Sequence, residues 1–341
     1  MFGPAPERLI GDDGVPSFGV FGEAIRHINL NDFDYRRVAP FPFSLTPASA
    51  RIAVKRWQYL GVITDDIAAG LAVADVGYAA NAFAYVALRG EAKVREFSFL
   101  DPAGRCSRYS ASSVEGVTEY LRGNVEIRLD NRLVDGPRKA VLRVPGVELD
   151  AEFDERAITP LCAVTQNGLR GFNYCHKAAA LPVSGRLRVD GREFDLGERR
   201  ALGVIDWTAG CAAHYTFWNW ACGSGYLPDG RTVGCNFVSG INERGFTENV
   251  FWVGGKPVKV DTMFFQYDPA DVLKPWRITS SDARVDLEFI PENERAENLN
   301  LGVMMSRFHQ PFGEFRGTFV IDGAKAPVTM RGYVEEHEAK W

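Results

Sequence analysis

The sequence predicts an all-β chain: two tandem antiparallel β-barrel units behind an irregular N-terminal arm. Three observations carry this. Beyond residue 51, apolar and polar residues alternate with a period of two, the mark of half-buried strands. Helical periodicity is scarce. Its best stretch, 111–122, offers a turn or two of helix but contains Gly116, which disfavours one. Finally, one pattern of residues occurs twice, about half a chain apart.

Taken in order, residues 1–50 form the arm, rich in Pro, Gly and short apolar runs. Pro40, Pro42 and Pro47 preclude a long helix there. Residues 51–160 form the first barrel unit, with strands at 52–64, 70–78, 81–88, 93–100, 124–129, 139–144 and 147–154. Pro145-Gly146 is the turn of a hairpin. At 157–182 the polarity becomes mixed, with Pro160 and Pro182 near its ends. The crossing between the units is therefore set at 161–182. Residues 183–341 form the second unit. It opens on a hairpin at Asp190-Gly191 and continues with strands at 201–220, 231–239, 247–253, 256–267, 284–290, 299–309, 314–321 and 327–335.

The repeat links the units. Asn81, Phe83, Val86, Gly90, Lys93, Val94 and Asp101-Pro102 are answered by Asn249, Phe251, Val253, Gly255, Lys259, Val260 and Asp268-Pro269, with little slippage. Upstream, Trp57 and Tyr59 answer Trp218 and Trp220. Downstream, 124–129 answers 284–289. A repeat this long is a domain duplication rather than a solenoid. An antiparallel meander of about eight strands removes its edges by closing into a barrel or sandwich, and an eight-stranded barrel can hold one small ligand. The architecture expected is thus a tandem of calycin-like, lipocalin-like barrels.

Composition bounds the function. The chain is 46% hydrophobic and 24% charged, ordinary for a soluble globular protein. A net charge of −5 argues against a nucleic-acid partner. No apolar run is long enough for a transmembrane helix, so stable membrane insertion is not expected. The first residues do not read as a signal peptide, which makes a cytoplasmic location the expectation. The cysteines are widely and irregularly spaced, as buried thiols are. Metal-ligand spacings, a Walker loop and a dinucleotide fingerprint are lacking, so no metal and no cofactor is expected. The partner expected is a small hydrophobic molecule; the oligomeric state is left open.

The candidate site lies in 203–252, where Trp207, Trp218, Trp220 and Trp252 gather out of seven tryptophans in all. Asp206 follows an apolar strand and precedes Trp207. A carboxylate there is poorly solvated, which suits it to carry a proton to an alkene or carbonyl. Trp218 and Trp220 share one strand face. They wall a ligand cavity or form a core ladder; with the opposite facing, Asn219 becomes the ligand contact. Glu248 stands where the first copy has Ala80, so this acid is the second catalytic candidate. Asn249, matched by Asn81, has a structural role. Tyr174, His176, Trp207, His214 and His309 are further ligand-contact candidates.

Several stretches resemble the family known as domain of unknown function 2804: 55–64 (KRWQYLGVIT), 174–178 (YCHKA), 203–207 (GVIDW), 216–221 (TFWNWA), 247–249 (TEN), 274–277 (KPWR), 308–310 with Phe312-Gly313, and 335–341 (EEHEAKW). More distantly, Asp206-Trp207 ahead of Trp218-Asn219-Trp220 and Asp229-Gly230 is similar to the lipocalin-like superfamily of carotenoid 1,2-hydratases, although Asn219 stands in place of an acid. The likeness implies a two-barrel layout. Residues and resemblance together lead to one expectation: an enzyme without a cofactor that performs acid-assisted hydration, isomerisation or cyclisation of an isoprenoid- or lipid-like molecule in a barrel cavity. The alternative is a non-catalytic carrier of such a molecule.

Overall fold

Antiparallel pairing organises the chain from Lys55 to Lys340 in the computed structural model, which describes residues 2–38, 52–302 and 304–341. Pro40, Pro42 and Pro47 lie outside the described residues. In the arm, β1 (Gly19–Phe21) is followed by two single 3-10 turns. The first large sheet then takes β2 (Lys55–Ile63), β3 (Ile67–Asp75), β4 (Ala79–Leu88), β5 (Arg95–Pro102), β6 (Ser107–Arg108), β7 (Glu115–Arg122), β8 (Val125–Arg132), β9 (Arg138–Val144), β10 (Val147–Phe153), β11 (Leu161–Asn167), β12 (Gly171–Val189), β13 (Arg192–Asp195) and β14 (Leu202–Cys211). The second takes β15 (Tyr215–Tyr226), β16 (Thr232–Ser239), β17 (Val250–Val253), β18 (Lys256–Lys259), β19 (Met263–Gln266), β20 (Trp276–Ser280), β21 (Val285–Asn300), β22 (Met305–Ile321) and β23 (Ala324–Lys340). Among the described residues no helix is long and apolar enough to cross a membrane.

The first sheet runs β5-β4-β3-β2-β14-β12-β10-β9-β8-β7-β6, and the second runs β18-β17-β16-β15-β23-β22-β21-β20-β19. In both, the two edge strands are neighbours in the chain, as in a barrel opened at one seam. The first curls to a nearly closed barrel and the second to a half-barrel. At the first seam the Asp101 carboxylate accepts from the backbone N–H of Arg105 and Cys106 and from the Ser107 hydroxyl, holding β5 to β6. The matched segments of the repeat occupy equivalent strands. Trp57 and Trp218 lie on the first strand of each sheet, Asn81 and Phe251 on or beside the third. The downstream match puts β8 level with β21. The duplication is therefore visible in the topology.

Two readings of the sequence are corrected. Residues 115–122 of the proposed helical turns form β7, because alternating side chains such as Thr118 and Tyr120 fill the barrel interior. The crossing placed at 161–182 is regular strand, β11 and the first half of β12, and the chain changes sheet at 212–214. Every residue from Gly171 to Leu181 is buried, so both faces are covered and the alternation that betrays a strand is lost. A bulge at Ala180, whose φ is +62°, shifts the register and bends β12 so that its two halves serve different neighbours. The Asp190-Gly191 hairpin is present, with both residues at positive φ as a type I′ turn requires.

The interior of the first barrel is filled. Gln58 faces inward and binds Asn131 and Thr118 at 2.7 and 2.6 Å. Below it, Arg138 Nε donates to Glu155 (2.7 Å), whose other oxygen meets His176 Nε2 (2.5 Å), while His176 Nδ1 meets Ser113 Oγ (3.0 Å). All four side chains are buried. These side chains occupy the part of the barrel interior where a ligand was expected. Burial alone would raise the carboxyl of Glu155, yet Arg138 and His176 hold it at about 2. Burial would lower His176, but Cys162 and Glu155 push it to about 9.

These shifts give a signed prediction. The raised His176 contributes stability that is full below its unfolded value near 6.5 and is lost as pH rises through about 9. The depressed Glu155 contributes stability that is full above about 4.5 and is lost as pH falls through about 2. Urea unfolding of Glu155→Gln is expected to show a loss of about 3–5 kcal/mol near pH 6, because it leaves Arg138 as an uncompensated buried cation. The gap between wild type and variant should narrow between pH 6.5 and 9. A constant gap over that range would contradict the assignment.

Candidate functional site

In an antiparallel sheet, residues directly opposite one another project to the same side. One such row crosses the first sheet: Lys177 on β12, Asp206 on β14, Tyr59 on β2, Ala72 on β3 and Phe83 on β4. Gln58 points into the barrel, so Tyr59 and its row point out of it. A second row crosses the other sheet. Val238 on β16 opposes Trp220 on β15, which opposes Glu335 on β23. Gln310 on β22 donates to Glu335 at 3.0 Å and opposes Arg295 on β21. The two rows face each other across a cavity of about 240 Å³. The cavity thus lies between the barrels rather than within one. Beside it Tyr59, Trp220 and Tyr333 pack edge to face, with centroids 5.1–6.1 Å apart, and join the sheets.

The charged centre of this cavity is Lys177. Its ammonium lies 2.7 Å from Asp206 Oδ2 and 3.6 Å from Glu248 Oε2, over the Trp220 ring at 5.3 Å. Side-chain exposure of the three ions is 3–7%. Burial would lower the lysine, but Asp206 and then Glu248 outweigh it and hold Lys177 above the ordinary lysine value. Asp206 accepts three hydrogen-bonding groups: Lys177, Trp57 Nε1 at 3.0 Å and Thr208 Oγ1 at 2.9 Å. The acid expected to carry a proton is thus surrounded by donors. Glu248 differs. Its Oε1 accepts from Asn242 at 3.2 Å, while Oε2 has no hydrogen-bond partner. Burial pushes the neighbouring Cys175 thiol up, so it stays protonated.

The structure places the sequence candidates as follows. Asp206, Glu248, Trp218 and Trp220 line the cavity together. Trp218 Nε1 donates to Glu335 at 2.9 Å, and Trp220 Nε1 to Asn236 at 2.9 Å. Asn219 points the other way, donating to Tyr267 inside the second sheet. Trp207 and Tyr174 pack in the cluster with the arm residues Leu9, Ile10 and Phe33, where the Tyr174 hydroxyl accepts from Ile25 N–H. Neither lines the cavity between the sheets. His176 belongs to the barrel-interior network. His214 is exposed and donates to the Trp341 carbonyl. His309 pairs with Glu294 at 3.1 Å on the face of β22 away from Phe308 and Gln310, which line the cavity. Asn249 has the expected structural role, accepting from Val238 N–H and donating to the Asp261 carbonyl.

The sequence reading passed over Arg295 and Glu335 and set Lys177 beside His176 only as a weaker candidate. A signal existed for Lys177: it stands at the start of the run KAAALP, in a strand apolar on both sides. A charge there has to find a partner. Arg295 falls between the strands read at 284–290 and 299–309, and the covered face that carries it and Glu335 becomes apparent only when the two sheets meet.

Residues 5–341 match the family described as "Domain of unknown function (DUF2804)". Three solved structures are similar in fold. The first is a Nitrosomonas europaea protein provisionally named AttH, at 13% identity over 87% of this chain and 97% of that one, with a TM-score of 0.51. Kievitone hydratase from Nectria haematococca aligns at 11% identity over 83% and 88%, with a TM-score of 0.52. CghA, determined with Sch210972, aligns at 12% identity over 84% and 88%, with a TM-score of 0.55. No curated protein matches the chain in sequence.

The ion cluster predicts a stability pattern. Lys177→Met leaves two buried carboxyl groups facing each other and should cost about 3–5 kcal/mol. Adding Asp206→Asn and Glu248→Gln should restore most of that loss, since a neutral set of similar volume replaces the whole cluster. Urea unfolding of the single and triple variants checks this. A triple variant no more stable than the single one would contradict it.

Proposed function

The chain belongs to the domain of unknown function 2804 (DUF2804) family, and from the site carried by this member we propose that it is an enzyme acting on an apolar small molecule by acid–base chemistry of its own side chains. The reaction is hydration or isomerisation of a double bond next to a carbonyl. The observation that carries this reading is Glu248: a buried carboxyl group in an aromatic cavity, with one oxygen that has no hydrogen-bond partner and lies 3.6 Å from a buried ammonium. A fold shared with a protein named a hydratase supports the reading.

The roles follow from the contacts. Lys177 donates to the carbonyl oxygen of the substrate and stabilises the negative charge that develops there. Asp206, with its oxygens already occupied, is a positioning residue for Lys177. Glu248 Oε2 moves the proton. In hydration, Glu248 takes a proton from water as the water oxygen bonds to the β-carbon, and the double-bond electrons shift toward the carbonyl oxygen. The proton then passes to the α-carbon, so that one water is added overall. In isomerisation, Glu248 removes a proton at one carbon and returns it at another. The tryptophans hold the apolar body and exclude bulk water. General acid–base help of this kind is worth about 10²–10⁴ in rate.

The test uses a panel of α,β-unsaturated ketones incubated with the protein in D2O and read by mass spectrometry. At least one ketone should gain carbon-bound deuterium, with or without the mass of water. Glu248→Gln should lower that rate at least about 100-fold, with binding preserved as judged by quenching of tryptophan fluorescence. Binding without exchange in the wild type would contradict catalysis and leave the carrier reading standing.

A further inference from the structure

Arg295 lies at the end of the cavity away from Lys177 in the second row. Its side chain is 4% exposed and its guanidinium sits among three aromatic rings, 4.4 Å from Phe83, 4.9 Å from Tyr85 and 4.6 Å from Phe308. A guanidinium stacked this way is fixed in direction, with its donors in one plane. Two of them, Nε and Nη1, are buried without a hydrogen-bond partner. Buried donors of native proteins are nearly always satisfied, and a missing partner needs an explanation. On the adjacent strand, Gln310 gives its Nε2 to Glu335 and leaves its Oε1 buried and unpartnered.

The charge at this place is already balanced. Glu96 lies 3.7 Å from Arg295 Nη1. Burial would raise Glu335, but His337 and Arg295 among its neighbours hold it below the ordinary carboxylate range, so it is an anion. Arg295 thus has its counter-charge and lacks hydrogen-bond acceptors. A second anion would meet these acids; a neutral oxygen would not.

Resting on the reading of the cavity as a binding site for an apolar molecule, we propose that Arg295 and Gln310 form its head-group subsite, which takes an uncharged group with one acceptor oxygen and one donor. A carboxamide or a hydroxyketone has this pattern. Its carbonyl oxygen accepts from one of these two Arg295 donors, Nε or Nη1, and its N–H or O–H donates to Gln310 Oε1. The same tail carrying a free carboxylate is discriminated against. The substrate is therefore a neutral, oxygenated apolar molecule rather than a fatty acid.

The experiment is a fluorescence titration, using the cavity tryptophans, with matched sets of probes. Polyene, alkylphenyl and terpenoid tails each carry a carboxamide, a carboxylate or a methyl group. Wild type should bind the carboxamide of at least one tail about tenfold to a hundredfold more tightly than its carboxylate and methyl partners. Arg295→Lys, which keeps the charge and stem but loses the fork, should reduce that preference to less than about threefold, with the methyl compound bound as before. Circular dichroism confirms folding, and Gln310→Leu provides a second variant on the acceptor side. Tight binding of carboxylates, or a preference that survives both variants, would overturn the subsite while leaving the cavity reading intact. If no probe of any tail binds, the cavity reading fails and the subsite with it.

Discussion

A lysine ammonium that has left water needs its charge compensated within a few ångströms, and in this protein the compensation comes from two sheets at once. Asp206 lies on the strand beside Lys177 in the first sheet; Glu248 comes from the segment entering β17 of the second. The ammonium therefore ties the two halves together at the point where they enclose a cavity. Trp220 covers it from the second half and Trp57 supports Asp206 from the first. Such a cluster adds little net stability over an apolar filling of equal volume. What it provides is a buried set of charged groups beside the cavity.

The duplication explains why the cavity lies between the barrels. Trp57 and Tyr59 of the first copy and their counterparts Trp218 and Trp220 of the second all line it. Two copies of one surface have been placed face to face, and the aromatic residues of each became the wall of a shared space. The two copies differ in what they bring to this wall. Ala80 leaves the wall flat on one side, while Glu248 brings a carboxyl group into it on the other. The interior of the first barrel holds a buried polar network around Arg138, Glu155 and His176.

Much of this was legible in the sequence. Period-two alternation located most strands, the Asp190-Gly191 pair set a hairpin, and the repeat placed equivalent strands level with one another. The shared face of Trp218 and Trp220 followed from their spacing, and Asp206 and Glu248 were identified as acids in unusual surroundings. The rest depends on register. That Lys177 opposes Asp206 is decided by pairing between residues far apart in the chain and by a bulge at Ala180, which no local pattern announces. Which side of a strand meets the other sheet is equally non-local. Hence Tyr174, Trp207 and His176 read as ligand contacts, while the structure buries them beneath the arm or in the barrel, and Arg295 went unremarked.

The central claim is that Lys177 is a permanent ammonium held by two buried carboxyl groups beside the cavity. Nitrogen-15 NMR of the Lys177 Nζ, assigned by its loss in Lys177→Met, tests it through a pH titration. The account predicts that the signal remains that of an ammonium at pH 10.5, where an ordinary lysine is half deprotonated. A signal that converts to the neutral amine at or below that pH would contradict it.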